Sequence, residues 1–176
     1  MGIRFNHMEL TVPPGMLKKE RQNIIDFYGG CFGFTCIEVP MVDLDVSDKF
    51  LISTDEEFSQ FFFLAEDKNY LKPDSYDHIG FLMDEWNEVD ETFEKVLEFQ
   101  KKDPRVEIMH TFEDDFESGP VFTHFYYFRY LLPIWVDVQF IQWKEGMKPA
   151  KQWTYGEVKD AEKVAEEPAS KIIETA

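Results

Sequence analysis

The chain has 176 residues, enough for one sizeable core or two small modules that share one, and 44% of them are apolar, with 18 phenylalanines. The 35 acids against 18 bases give a formal charge of -17, a surface that repels nucleic-acid phosphates and anionic lipid, so neither partner is expected. No apolar run approaches the roughly 20 residues that span a bilayer and no basic, apolar signal pattern opens the chain, so a cytoplasmic location is the default expectation.

Phe5 to Val12 alternates, with Asn6, Met8, Leu10 and Val12 on one side and Phe5, His7, Glu9 and Thr11 on the other, which predicts a strand closed by Pro13, Pro14 and Gly15. Leu17 to Tyr28 carries apolar residues at helical spacing, and Gly29 and Gly30 are expected to stop that helix. Phe34 to Val39, Lys49 to Ser53 and Phe58 to Ala65 are rich in Phe, Ile and Val and predict three short strands. Residues 67 to 76 are polar and form a connector. Cys31 and Cys36, the only cysteines, are expected as free thiols.

The same order then restarts. Tyr76 to Met83 alternates like the first strand, and Asp84 can cap a helix bearing Trp86, Val89, Phe93, Val96 and Leu97 that ends near Asp103 and Pro104. Arg105 to Phe112, Thr123 to Arg129 and Trp135 to Ile141 supply three more strands. The predicted organisation is a first βαβββ module at 1–66, a linker at 67–76, a second βαβββ module at 77–143 and a polar tail at 144–176, whose Trp153 and Tyr155 could dock it. The expected fold class is α+β, two modules curled into a partly open β-barrel.

Superposing the two halves puts His7 and His78 at one position of one strand. On the closing strand Ile134, Val136, Val138 and Phe140 share one face, while Asp137 and Gln139 stand between Trp135 and Ile141 on the other. An acid flanked by large apolar groups is costly to desolvate unless a cation pairs with it; the plain alternative is an edge strand whose polar face meets water. If the sheets curl together, His7, His78 and Asp137 converge as two imidazoles and one carboxylate. That donor set suits Fe(II), and also Mn, Ni, Zn or Co. Glu9, on the same strand face as His7, is either a base in a pocket or a water-facing acid. His110 and the acidic runs at 43–48, 55–57 and 113–117 are expected to be solvated, the runs lacking a calcium-loop pattern.

These residues, with the Phe27-Tyr28-Gly29-Gly30-Cys31-Phe32-Gly33-Phe34 turn, resemble the vicinal oxygen chelate superfamily, which includes glyoxalases, bleomycin-type resistance proteins and extradiol ring-cleaving dioxygenases. The resemblance covers about residues 3 to 143. The closing stretch is most similar to the extradiol branch: His124, Phe128, Pro133 and Asp137 keep its intervals, although aspartate stands where glutamate is usual and Ile134-Trp135 replaces a small turn. This likeness implies an iron-dependent dioxygenase acting on a small aromatic diol, with His124 as acid/base and Tyr126 or Tyr127 holding a phenolic oxygen. It also makes a homodimer plausible. The alternatives are a glyoxalase-like isomerase, epimerase or lyase using another divalent metal, and a metal-free small-molecule binding or resistance protein. Glyoxalase-like members draw a fourth ligand from the last strand of the first module, where this chain has Phe61, Phe62 and Phe63, with only Gln60 and Glu66 nearby.

Overall fold

The structure is a computed structural model that describes residues 5–39, 49–72, 76–115 and 119–148, with the side chains of 110–115 left out. The expected tail beyond residue 148 and the acidic run at 43–48 lie outside the described residues, as does the side chain of His110.

The first half runs β1 (His7–Val12), α1 (Met16–Ile24), a π-helical turn (Ile25–Gly29), α2 (Gly30–Phe32), β2 (Thr35–Val39), β3 (Lys49–Ser53) and β4 (Phe61–Glu66). The second runs β5 (His78–Leu82), α3 (Trp86–Lys102), β6 (Glu107–Asp115), β7 (Val121–Arg129) and β8 (Trp135–Trp143). Each half folds into a four-stranded mixed sheet, in the orders β1-β4-β3-β2 and β5-β8-β7-β6. In each, the first strand lies at an edge and pairs in parallel with the last. The two sheets and their helices make the expected α+β architecture, open rather than closed into one barrel. No helix among the described residues is long and apolar enough to cross a membrane.

Gly29 and Gly30 do not stop the first helix, because both keep right-handed helical angles and widen it into the π turn; the stop is Gly33, at φ 72°. A Cβ is strained in the left-handed conformation, which is why glycine serves there. The continued helix carries Phe27 and Tyr28 fully inward, where Phe27 meets Phe128 at 5.3 Å and Tyr130 at 4.5 Å between ring centres. Phe32 stacks on Phe128 at 5.0 Å, and the Tyr28 hydroxyl donates to the Tyr130 carbonyl at 2.8 Å. Since each such ring pair contributes about 0.5–1.5 kcal/mol beyond area burial, this segment rivets the two halves together. A second tie is ionic: Arg105 donates to Glu20 of α1 at 2.9 Å and to Asp103, whose carboxylate also accepts the Tyr130 hydroxyl at 2.7 Å.

α3 begins one residue later than expected. Glu85, not Asp84, is its N-cap, closed by a reciprocal capping box with Glu88. Cys31 and Cys36 are free thiols, and burial pushes both up to about 11.

Candidate functional site

Each sheet turns one face to the shared core. On β1 the core side is Met8, Leu10 and Val12; on β5 it is Ile79 and Phe81; on β8 it is Val136, Val138 and Phe140. Strand alternation then sends His7, Glu9 and Thr11 to the opposite face of the first sheet, and His78, Gly80, Asp137 and Gln139 to that of the second.

On the second sheet His78, Tyr127 and Asp137 form a cluster. Gly80 is in register with Asp137 across the parallel β5–β8 pair, and Tyr127 is in register with it across β7–β8. Asp137 is buried, its Oδ1 has no hydrogen-bond partner among the described residues, and burial pushes its carboxyl up to about 6, against the opposing pull of His78 and Tyr127. The Tyr127 hydroxyl is held above its usual range, first by burial and then by Tyr76 and the Asp137 charge, so it stays a proton donor at neutral pH. The His78 ring meets Tyr127 edge-on at 5.3 Å and Tyr76 at 5.2 Å. His78 Nδ1 lies 3.1 Å from the Tyr76 carbonyl oxygen, which can only accept, so Nδ1 carries a proton and, in the neutral ring, Nε2 is the lone-pair donor. Gly80 keeps the face open: a Cβ there would stand 2.8 Å from the Gln139 amide nitrogen and 3.9 Å from Asp137 Oδ2.

The first sheet carries a counterpart. His7 stacks on Phe61 at 5.1 Å, meets Phe63 edge-on at 5.8 Å, and places Nδ1 2.8 Å from Asn6 Oδ1. In matching register, Phe63 stands opposite Glu9 as Asp137 stands opposite Gly80, so the first module has a phenylalanine where the second has its acid. Glu9 is not a free base, since Lys49 pairs with it at 2.7 Å while lying over the Phe63 ring. Of the two other polar candidates here, Glu66 accepts the backbone N–H groups of Gly15 and Leu17 at 2.8 Å each and so caps α1, and the Gln60 carbonyl accepts from Thr54 N at 3.0 Å.

The structure therefore brings His78, Tyr127 and Asp137 together and leaves His7 with partners of its own module. Among the described residues, no three His, Cys, Asp or Glu side chains converge closely enough to hold a metal ion. Two of the three expected donors fit one: a buried carboxylate oxygen without a partner beside an imidazole whose free nitrogen is Nε2. The third does not join them within one chain. A crevice of about 400 Å³ between the modules is lined by Phe5, Gln60, Phe61, Phe62, Ile79 and Gly80 among others.

His124 and Tyr126 are a correction. His124 is in register with Phe140, a core-side residue, and so faces α3 rather than Asp137. There it stacks on Trp86 at 4.2 Å and donates from Nε2 to Asp90 at 2.8 Å. Tyr126, on the same side, is fully buried against Phe93 at 5.0 Å. Neither can act beside Asp137, because the sheet lies between. Asn6 and Tyr76, which support the two histidines, were not singled out by sequence reasoning; each directly precedes or nearly precedes its histidine, and that adjacency is the only sequence signal.

No family model matches the chain, and no curated protein matches it. Solved structures do. A glyoxylase/bleomycin resistance protein/dioxygenase domain from Frankia sp. is 14% identical over 81% of this chain and 100% of its own, with a TM-score of 0.56. A candidate glyoxalase family protein from Bacillus anthracis is 14% identical over 81% and 98%, with a TM-score of 0.54. The genomically encoded fosfomycin resistance protein FosX from Listeria monocytogenes is 18% identical over 78% and 93%, with a TM-score of 0.54. At such identities the likeness speaks to architecture, and on that evidence this chain shares the two-module fold of these structures.

Proposed function

We propose that the open face of the second module is half of a divalent-metal site, that His78 and Asp137 anchor it, and that His7 of a second copy of the chain completes it. The resulting cytoplasmic enzyme acts on a small aromatic or enolisable molecule offering two neighbouring oxygens. The observation that carries this reading is the buried, unpartnered Oδ1 of Asp137 beside His78. A buried carboxylate oxygen left without a partner is costly, and a cation offsets that cost. The second copy is supported by the exposure of both histidines and by β1 and β5 each lying at a sheet edge. Large apolar groups are also exposed, Phe5 at 58% and Leu82 at 64%. Two free thiols suit a reducing compartment.

A divalent metal would supply Lewis-acid polarisation of the two substrate oxygens. The donor set suits Fe(II), with Mn, Ni, Zn or Co as alternatives. The protein's share is orientation and proton supply. Trp135, Phe125 and Tyr127 wall a flat ligand on the face that bears Asp137, and the protonated Tyr127 hydroxyl donates to a bound oxygen. In the finer form of this reading, extradiol cleavage of an aromatic diol, Tyr127 takes the place that His124 cannot fill.

Anaerobic purification and elemental analysis of the wild type, His7→Ala and Asp137→Ala test the site. Each variant should lose the metal. Mixing the two variants should restore some of it, since one of the two sites in a mixed dimer is intact. Absence of bound metal in the wild type under saturating Fe(II), Mn, Ni, Zn and Co would sink the metal reading. Failure of the mixture would sink the shared site. Oxygen uptake on a catechol panel separates a dioxygenase from an isomerase or lyase, which works without oxygen.

A further inference from the structure

We infer that Asn6 is a positioning residue for His7: held in one orientation by the turn before β4, it fixes the His7 imidazole in the tautomer that leaves Nε2 bare. This rests on the metal-site reading for its purpose, though not for its geometry.

The Asn6 amide has two ends that could be exchanged, and its partners decide between them. Its Nδ2 donates to the Ser59 carbonyl at 3.0 Å, and a carbonyl can only accept. The oxygen end therefore faces His7, 2.8 Å from Nδ1, so Nδ1 must carry the proton. Ser59 is itself fixed. Asp55 accepts its backbone N–H at 3.1 Å and its hydroxyl at 2.5 Å, while it also accepts the Glu57 N–H at 2.9 Å. Asn6 is pinned through its backbone as well, its carbonyl accepting the Phe61 N–H at 3.1 Å. Phe61 in turn is the ring on which His7 stacks, 4° from parallel. Two contacts, the Asn6 oxygen and the Phe61 ring, thus fix an exposed imidazole and leave its Nε2 without a partner among the described residues. A histidine with only a structural task has no need of this, whereas a metal donor does, because orienting its second nitrogen fixes both tautomer and ring plane.

The second module reaches the same tautomer by another route, the Tyr76 backbone carbonyl on His78 Nδ1. Asn6 is thus the side-chain version of a support that the other half builds from its main chain.

The test reads the tautomer directly. Imidazole nitrogen chemical shifts of ¹⁵N-histidine-labelled full-length protein, recorded at a pH where the ring is neutral and assigned by His7→Gln, should show Nδ1–H in the wild type. Asn6→Leu should move His7 to the Nε2–H form, and Asn6→Asp, which keeps an acceptor, should retain Nδ1–H. An Nε2–H wild type, or an Asn6→Leu variant with unchanged shifts and a native circular-dichroism spectrum, overturns the inference. Zinc titration is the second readout: Asn6→Leu should weaken binding roughly tenfold to a hundredfold, with Asn6→Asp close to wild type. If the tautomer responds as expected and zinc binds none of the three proteins, the positioning role stands and the metal site falls.

Discussion

His124 and Trp86 lie face to face, 4.2 Å apart and 7° from parallel, which ties the middle of β7 to the first turn of α3. The imidazole adds a hydrogen bond to Asp90 one turn further along the helix. His124→Ala should therefore act on stability. Loss of a stacked pair and a partly buried hydrogen bond predicts destabilisation of about 1–2 kcal/mol in denaturant unfolding. Metal content should be unchanged. A variant that unfolds like the wild type yet loses its metal would place His124 back in the site.

Glu66 offers a comparable case in the first module. α1 starts on Gly15, at φ 81° and with no side-chain cap of its own, and its first N–H groups are instead satisfied by the Glu66 carboxylate from the end of β4. A negative charge at a helix N-terminus also meets the positive end of the helix dipole. Glu66→Ala should cost about 1–2 kcal/mol, and Glu66→Gln less, as neutral caps do. Equal unfolding midpoints for all three proteins would count against the cap.

How far the sequence reveals this arrangement depends on the kind of contact. The duplicated order of elements is legible because it rests on local periodicity, and the match of His7 with His78 follows from it. The face on which His124 stands is not. His124 and Asp137 are 13 residues apart on neighbouring antiparallel strands, so a pairing that sets Tyr127 opposite Asp137 puts them on opposite faces. A slip of one residue would reverse that. The register is set by the turn from Tyr130 to Ile134, where Leu131 adopts φ 58°, and that irregular loop has no recognisable hairpin signature. The cap by Glu66 was equally hidden, since its partners are some 50 residues away.

Acid should loosen the contact between the modules. Glu20 is buried on α1, and the Asn23 amide, Lys19 and Arg105 lower its carboxyl from 4.5 to about 2. Asp103 is lowered in the same way, chiefly by Arg105. A carboxyl depressed in the folded state contributes stability above its unfolded value and loses it as pH falls toward its folded one. Stability should thus drop between about pH 4.5 and about pH 2 through Glu20. Glu20→Gln should remove that part of the slope, lowering stability at pH 7 while flattening the acid limb of an unfolding midpoint against pH curve. An unaltered slope would show that Glu20 is as free folded as unfolded.

Asp137 should behave in the opposite sense, because it is buried with one oxygen unpartnered. Asparagine keeps its size and hydrogen-bonding shape while removing a charge that burial disfavours and that His78 and the Tyr127 hydroxyl offset only in part. Asp137→Asn should therefore raise the stability of the metal-free protein, on the order of 1 kcal/mol, as relief of an unpaired buried charge does. The same change should abolish stabilisation by added divalent metal, which in the wild type grows with metal concentration as the folded state alone binds it. Thermal unfolding of both proteins with and without zinc measures the two effects together. A group kept for packing would give the reverse pattern, a less stable variant with an undiminished response to metal, and the carboxylate would then have no claim to a functional role.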